Sequence, residues 1–222
     1  KAPREGSLPP LGALTEYLHG LPSSPMLLML DSFEHLISGA SAVASLVAAS
    51  PLLKVLVTSR PPLHVYGEHE YPVPPLELPD AGSSASDPAS RPEAVALFLQ
   101  RASAVKPDFE VTPENAAAIA EICRRLDGLP LAIELAAARV KLLPPVAMRA
   151  RLEKRLALLT GGSRDLPARQ QTLRGAIDWS HDLLSAAEQK LFCRLSVFVG
   201  GCTLEGVEAV CNAKADLEID VL

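Results

Sequence analysis

The chain has 222 residues, 48% of them apolar and 21% charged, the balance of a globular protein long enough to bury one large core or several smaller ones. A formal net charge of -5, with no basic tract, argues against nucleic-acid binding by the chain as a whole. No run of ~18 apolar residues and no signal-peptide pattern is read, so no membrane partner is expected and the expected location is cytoplasmic.

Aromatic residues make up only 4%, so the core must be built from Leu, Ala and Val, which favours helices. In chain order, residues 8–20 carry a helical stripe of Leu11, Leu14, Tyr17 and Leu18. The run "PMLLML" (25–30) reads as a short strand buried on both faces. Residues 33–49 return to helical spacing through Leu36, Ile37, Val43, Leu46 and Val47, and "LLKVLVTSR" (52–60) reads as a second buried strand. A third strand is expected at "EYPV" (70–73), demoted by proline. Strand, helix, strand at this spacing predicts a parallel α/β unit.

Residues 74–92 are rich in Pro, Ser, Ala and Asp and mark an exposed linker centred on 79–91. Everything after it reads as helix: 92–105, then 112–126 with Thr112 as N-cap and Pro113 in the first helical position, then about 130–142 and 145–159. "GGSRDLP" (161–167) is a break, and helices at 170–184, 186–196 and 203–211 follow. The expected organisation is an α/β part over 1–78, the linker 79–91, a helical part over 92–160 and a second helical part over 161–222. Cys123, Cys193, Cys202 and Cys211 have no CxxC spacing and read as reduced core residues. His64 and His69 match no zinc pattern.

Three places carry chemistry. The first strand ends on Asp31. In open parallel sheets ligands bind beyond the carboxyl ends of the strands, and a carboxylate there can hold Mg²⁺ that carries nucleotide phosphates. Asp31 and Glu34 equally fit D-x-x-E, a capping box opening the helix at 33. The second strand ends on Thr58, Ser59 and Arg60. An arginine so placed can reach a terminal phosphate, or can be a solvated turn residue. In "RRLDGLPLAIELAAARV" (124–140), Gly128 can close one helix and Pro130 begin the next without any ligand.

The segments "LLMLDSFEHL", "LKVLVTSRPPLHVYGEHEYPVPPL", "LDGLPLAIELAAARVKLLPP" and "TLRGAIDWSHDLLSAAEQKLFCRLSVFVGG", in that order over roughly 8–211, together resemble the STAND class of signalling ATPases with an NB-ARC-like core. The likeness is to the bacterial branch in LuxR-type and antibiotic-regulatory-type transcription regulators. It implies an α/β, P-loop NTPase-like partial parallel sheet, then a helical bundle and an incomplete winged-helix region at 161–222, helix-dominated overall. It also implies ATP or ADP with Mg²⁺ as ligands of the intact parent. Asp31 would serve the metal, Arg60 the γ-phosphate and Pro130 the adenine, with Thr58 and Gly128 beside the nucleotide.

The sequence departs from that pattern. Ser32 stands where the family commonly has Asp or Asn, which leaves Glu34 as the candidate catalytic carboxylate beside its reading as a cap. No G-x-x-x-x-G-K-[ST] phosphate loop occurs, so the chain reads as an internal piece of a longer regulator, inactive alone and binding nucleotide weakly. The resemblance places the phosphate-loop strand between the two predicted strands. Without it they should pair directly, admit another segment or be poorly stable.

The leading functional expectation is a nucleotide-dependent regulatory switch whose partners are other domains of the same polypeptide, with self-association on activation. The alternative is an interaction scaffold that no longer uses nucleotide. A DNA-binding winged helix is disfavoured, because 161–222 carry six Lys/Arg against nine Asp/Glu.

Overall fold

The two apolar runs form β1 (Met26–Leu30) and β2 (Leu53–Val57), which pair in parallel with Met26 opposite Leu53 and Leu30 opposite Val57. The structure, a computed structural model, describes residues 10–20, 25–80, 91–152, 155–213 and 216–217. These fall into two units that divide between Val73 and Pro74.

In the first unit, α1 (Pro10–His19) lies in the expected place. The expected helix at 33–49 is kinked. A 3-10 helix, Phe33–Gly39, bends at Leu36 (φ -118°, ψ 18°) and passes into α2 (Ala40–Ala49). Leu18, Leu46 and Leu53 gather Met26, Leu28 and Val55 on one face of the sheet. Phe33, Ala40, Val43 and Leu63 gather Leu30, Ile37, Val57 and Val65.

Of the three outcomes expected for the two strands, direct pairing is the one found, and two other expectations need correction. No further strand lies between β1 and β2. The ladder runs unbroken from Met26 N–H on Leu52 O (3.1 Å) to Thr58 N–H on Leu30 O (2.9 Å), and an inserted strand would have to break every one of those bonds. The strands are not buried on both faces: Leu27, Met29 and Leu56 are 60%, 66% and 51% exposed, because the described helices pack against one face only. Residues 70–73 form no strand. Pro72 offers no N–H to a ladder, and Tyr71 and Val73 are more than four-fifths exposed, with no apolar face to pack.

The second unit is helical. Its core joins Ala94, Val95 and Phe98 of α3 (Glu93–Val105) to Ile119 and Ile122 of α4 (Pro113–Arg125). Ile133 of α5 (Pro130–Ala137) and Met148 of α6 (Pro145–Arg151) complete it. Thr112 caps α4 as expected, in a reciprocal box with Asn115. The α5 helix is shorter than the expected 130–142, since residues 138–142 tighten into turns. The expected 145–159 helix is described as α6 and a short α7 (Arg155–Leu158).

Of the expected linker 79–91, residues 81–90 lie outside the described part. Just before it, Leu76 packs on the helical core and its N–H donates to Gly128 O at 3.0 Å. Beyond the break at 161–167 come a 3-10 turn (Ala168–Gln170), α8 (Leu173–Asp182), α9 (Ala186–Leu195) and α10 (Leu204–Cys211). Each of the three helices starts on a side-chain cap, from Thr172, Ser185 and Thr203. All four cysteines are free, but only Cys123 and Cys211 are buried; Cys193 and Cys202 are exposed, which corrects their reading as core residues. No described helix is long and apolar enough to cross a membrane.

Candidate functional site

Because β1 and β2 run parallel and pair directly, their carboxyl ends share one edge, and Asp31 and Thr58 leave that edge side by side. The Thr58 hydroxyl donates to Asp31 Oδ1 at 2.6 Å and accepts from Ser32 N–H at 2.8 Å. Phe33 N–H donates to Thr58 O at 2.9 Å, which ties the third residue after β1 to the first residue after β2. The Ser32 hydroxyl lies 3.4 Å from Asp31 Oδ2.

This arrangement replaces the expected capping box. Ser32 is the residue before the 3-10 helix, it adopts a left-handed backbone (φ 58°, ψ 50°), and its side chain makes no cap bond. The left-handed turn lifts Asp31 off the helix axis and aims its carboxylate at Thr58. Asp31 and Glu34 therefore form no reciprocal cap. Asp31, Thr58 and Arg60 are exposed. Between the last two, the Ser59 hydroxyl oxygen is buried, with no hydrogen-bond partner among the described residues.

Among the described residues no three His, Cys, Asp or Glu side chains gather to hold a metal. Asp31 offers one carboxylate, and the Thr58 hydroxyl beside it is already engaged with Asp31 and Ser32, so the edge is no all-protein metal cage.

Gly128 and Pro130 belong to the second unit. Gly128 has φ 67°, and a Cβ there would meet Leu76 O at 2.4 Å and Leu76 N at 3.2 Å. Chain reversal between α4 and α5, and the close crossing of residues 75–76, account for this glycine on their own. Pro130 occupies the first turn of α5 and is exposed, with Leu129 beside it 46% exposed.

One charged residue near the edge escaped sequence reading. The Glu68 carboxylate accepts from Leu63 N–H at 2.8 Å through Oε1 and from Val65 N–H at 3.2 Å through Oε2. The Leu63 amide, with smaller help from those of Val65 and His64, holds the Glu68 carboxyl below its ordinary range. A carboxylate directly after Gly67, following Pro61-Pro62, was the only sequence signal.

The chain is thus a helix-dominated protein with a small two-stranded parallel sheet and a polar cluster at that sheet's carboxyl edge. It is 48% identical over 194 residues to "Putative HTH-type transcriptional regulator Rv0890c" of Mycobacterium tuberculosis, a match covering 87% of this chain and 20% of that protein. The same figures hold for "Putative HTH-type transcriptional regulator Mb0914c" of Mycobacterium bovis. It is 39% identical over 211 residues to "Uncharacterized protein Rv0894" of Mycobacterium tuberculosis, covering 95% of this chain and 51% of that one. The chain therefore spans about a fifth of the length of the first two relatives and about half of the third. No protein-family model and no solved structure matches it.

Proposed function

We propose that the chain is part of a nucleotide-dependent switch in a bacterial transcription regulator, with ATP or ADP and Mg²⁺ bound at the carboxyl edge of the β1–β2 sheet in the longer polypeptide. The observation that carries this reading is the pairing of Asp31 with Thr58 at adjacent parallel strand ends, two residues before Arg60. A Mg²⁺ ion at Asp31 would bridge phosphate oxygens, and the Arg60 guanidinium would report the terminal phosphate.

What the site does for regulation is set by differential binding: a ligand moves an equilibrium only by its difference in affinity for two conformations. ATP and ADP differ by one phosphate, so the residue that senses that phosphate carries the switch. The effector, the signal and any self-association belong to the rest of the polypeptide. The names of the relatives support a regulator. Catalysis is not required, and Ser32 supplies no carboxylate base.

The test is isothermal titration of Mg-ATP and Mg-ADP into a polypeptide that joins these 222 residues to an upstream phosphate loop. Asp31→Asn weakens Mg²⁺-dependent binding of both, and Arg60→Ala draws the two affinities together. Affinities unchanged in both variants would return these residues to turn chemistry. The exposed apolar face of Leu27, Met29 and Leu56 favours a second reading, an interaction scaffold without nucleotide. Normal partner assembly by the Asp31→Asn variant, with no nucleotide bound, would select it.

A further inference from the structure

After β2 the chain runs Thr58-Ser59-Arg60-Pro61-Pro62-Leu63, and it has lost its strand partner by Ser59. Backbone N–H groups on a segment that packs into a core still need acceptors. Leu63 is 8% exposed and belongs to the cluster built on Phe33, Ala40 and Val43; Val65 packs against the same cluster. Their amides are two residues apart, on either side of the left-handed His64 (φ 55°). No strand among the described residues receives them. Glu68 does, with one oxygen for each. The clasp is closed on its other side by Glu68 N–H donating to Val65 O at 3.1 Å, and the reversal this needs passes through His64 (φ 55°) and Gly67 (φ 80°).

The consequence reaches the candidate site from two directions. From Leu63 back to Arg60 the chain crosses Pro61 and Pro62, whose φ angles are fixed, so an anchored Leu63 narrows the directions Arg60 can take. Leu63 also packs with Phe33, the first residue of the 3-10 helix, whose N–H is bonded to Thr58 O. Phe33 directly follows the left-handed Ser32 that aims Asp31 at Thr58.

We infer that Glu68 is a positioning residue for this edge: by clasping the Leu63 and Val65 amides it seats the segment after β2 on the Phe33 cluster, and so fixes Arg60 on one side and the Asp31–Ser32 turn on the other. The role of Arg60 toward phosphate rests on the function proposed above; the clasp itself does not. A glutamine keeps the length of the side chain but presents one oxygen and one NH₂, and the NH₂ meets an amide N–H as donor against donor. Glu68→Gln therefore breaks half of the clasp without opening a cavity, and Glu68→Ala removes all of it.

The experiment is residue-resolved NMR on the 222-residue chain and its Glu68→Gln, Glu68→Ala and Arg60→Ala variants, first without ligand and then with Mg-ATP. Without ligand, the Glu68→Gln chain loses slow amide exchange at Val65 or Leu63, Glu68→Ala loses it at both, and in each the Thr58–Arg60 amides and the Arg60 Nε–H resonance move. The helical core at Phe98, Ile119 and Ile133 keeps its shifts, which shows that the variants are folded. Arg60→Ala leaves the exchange at Leu63 and Val65 as it was. Slow exchange retained at both amides in Glu68→Ala, or exchange lost there with Thr58–Arg60 and the Arg60 Nε–H unmoved, overturns the inference. Failure of Mg-ATP to shift Arg60 in the wild type counts against the nucleotide reading alone, since the clasp is judged before ligand is added.

Discussion

Asp31 and Thr58 are joined by one short hydrogen bond. At 2.6 Å the Thr58 hydroxyl donates to Asp31 Oδ1, at the short end of the range for a hydroxyl donor. Thr58→Val keeps the shape of the side chain and removes the donor. We expect it to leave β1–β2 pairing intact while freeing the Asp31 carboxylate and the Ser32 amide, seen as shifts of both residues in NMR spectra; unchanged Asp31 and Ser32 signals would contradict the contact. Gly128 poses the opposite case, where the backbone leaves no choice of residue. Alanine there would sit at φ 67° with its Cβ 2.4 Å from Leu76 O. Gly128→Ala is expected to lower stability by at least about 1 kcal/mol in urea unfolding. A wild-type midpoint would mean that residues 75–76 do not cross at this turn. Burial pushes the Cys123 thiol up to about 12, so it stays protonated near neutral pH. Thiol reagents should modify the exposed Cys193 and Cys202 in the folded chain and reach Cys123 and Cys211 only in denaturant.

At the scale of elements, caps and periodicity were legible because they are local. Thr112-Pro113 opens α4 as expected; for α9 the helix was read from the sequence, and its cap, Ser185 with Glu188 three residues on, appears in the structure. Thr112→Ala should cost about 1 kcal/mol, read from the urea midpoint. The same logic misread Asp31 and Glu34. The D-x-x-E spacing is satisfied, but whether it caps depends on Ser32 turning left-handed and on Thr58, 27 positions later, competing for the carboxylate. The strands were found from their apolar runs, yet not their one-sided burial, since a continuous run such as Met26–Leu30 does not say how many faces the surroundings cover. The Glu68 clasp was invisible for a related reason: it depends on the amides of Leu63 and Val65 lacking a strand, which no local pattern encodes.

For the molecule as a whole, charge sets the response to acid. Side-chain bonds from Arg194 and then Lys190 hold Asp216 far below its ordinary 3.8, and Arg125 and Arg124 lower Glu121 from 4.5. Groups depressed on folding stabilise the native state above their unfolded values, and that contribution is lost as pH falls through the folded ones. Stability should therefore fall as pH drops below the ordinary values of 4.5 and 3.8, with Asp216→Asn removing part of the slope. Exposure of these pairs keeps each effect small and salt-sensitive. An acid slope identical in Asp216→Asn would show that the Arg194 and Lys190 contacts carry none of it.

The central claim, that the carboxyl edge of β1 and β2 is a nucleotide site completed by the longer polypeptide, is tested most directly by titrating Mg-ATP into the 222-residue chain and following the amides of Asp31, Ser32, Thr58 and Arg60. Backbone N–H groups and a lysine supply most of the phosphate affinity of a P-loop site, and the sequence carries no such loop. Saturable, Mg²⁺-dependent shifts are expected at those residues, with an affinity of about millimolar. Their absence at several times that concentration, or micromolar binding that leaves them unmoved, would contradict that claim.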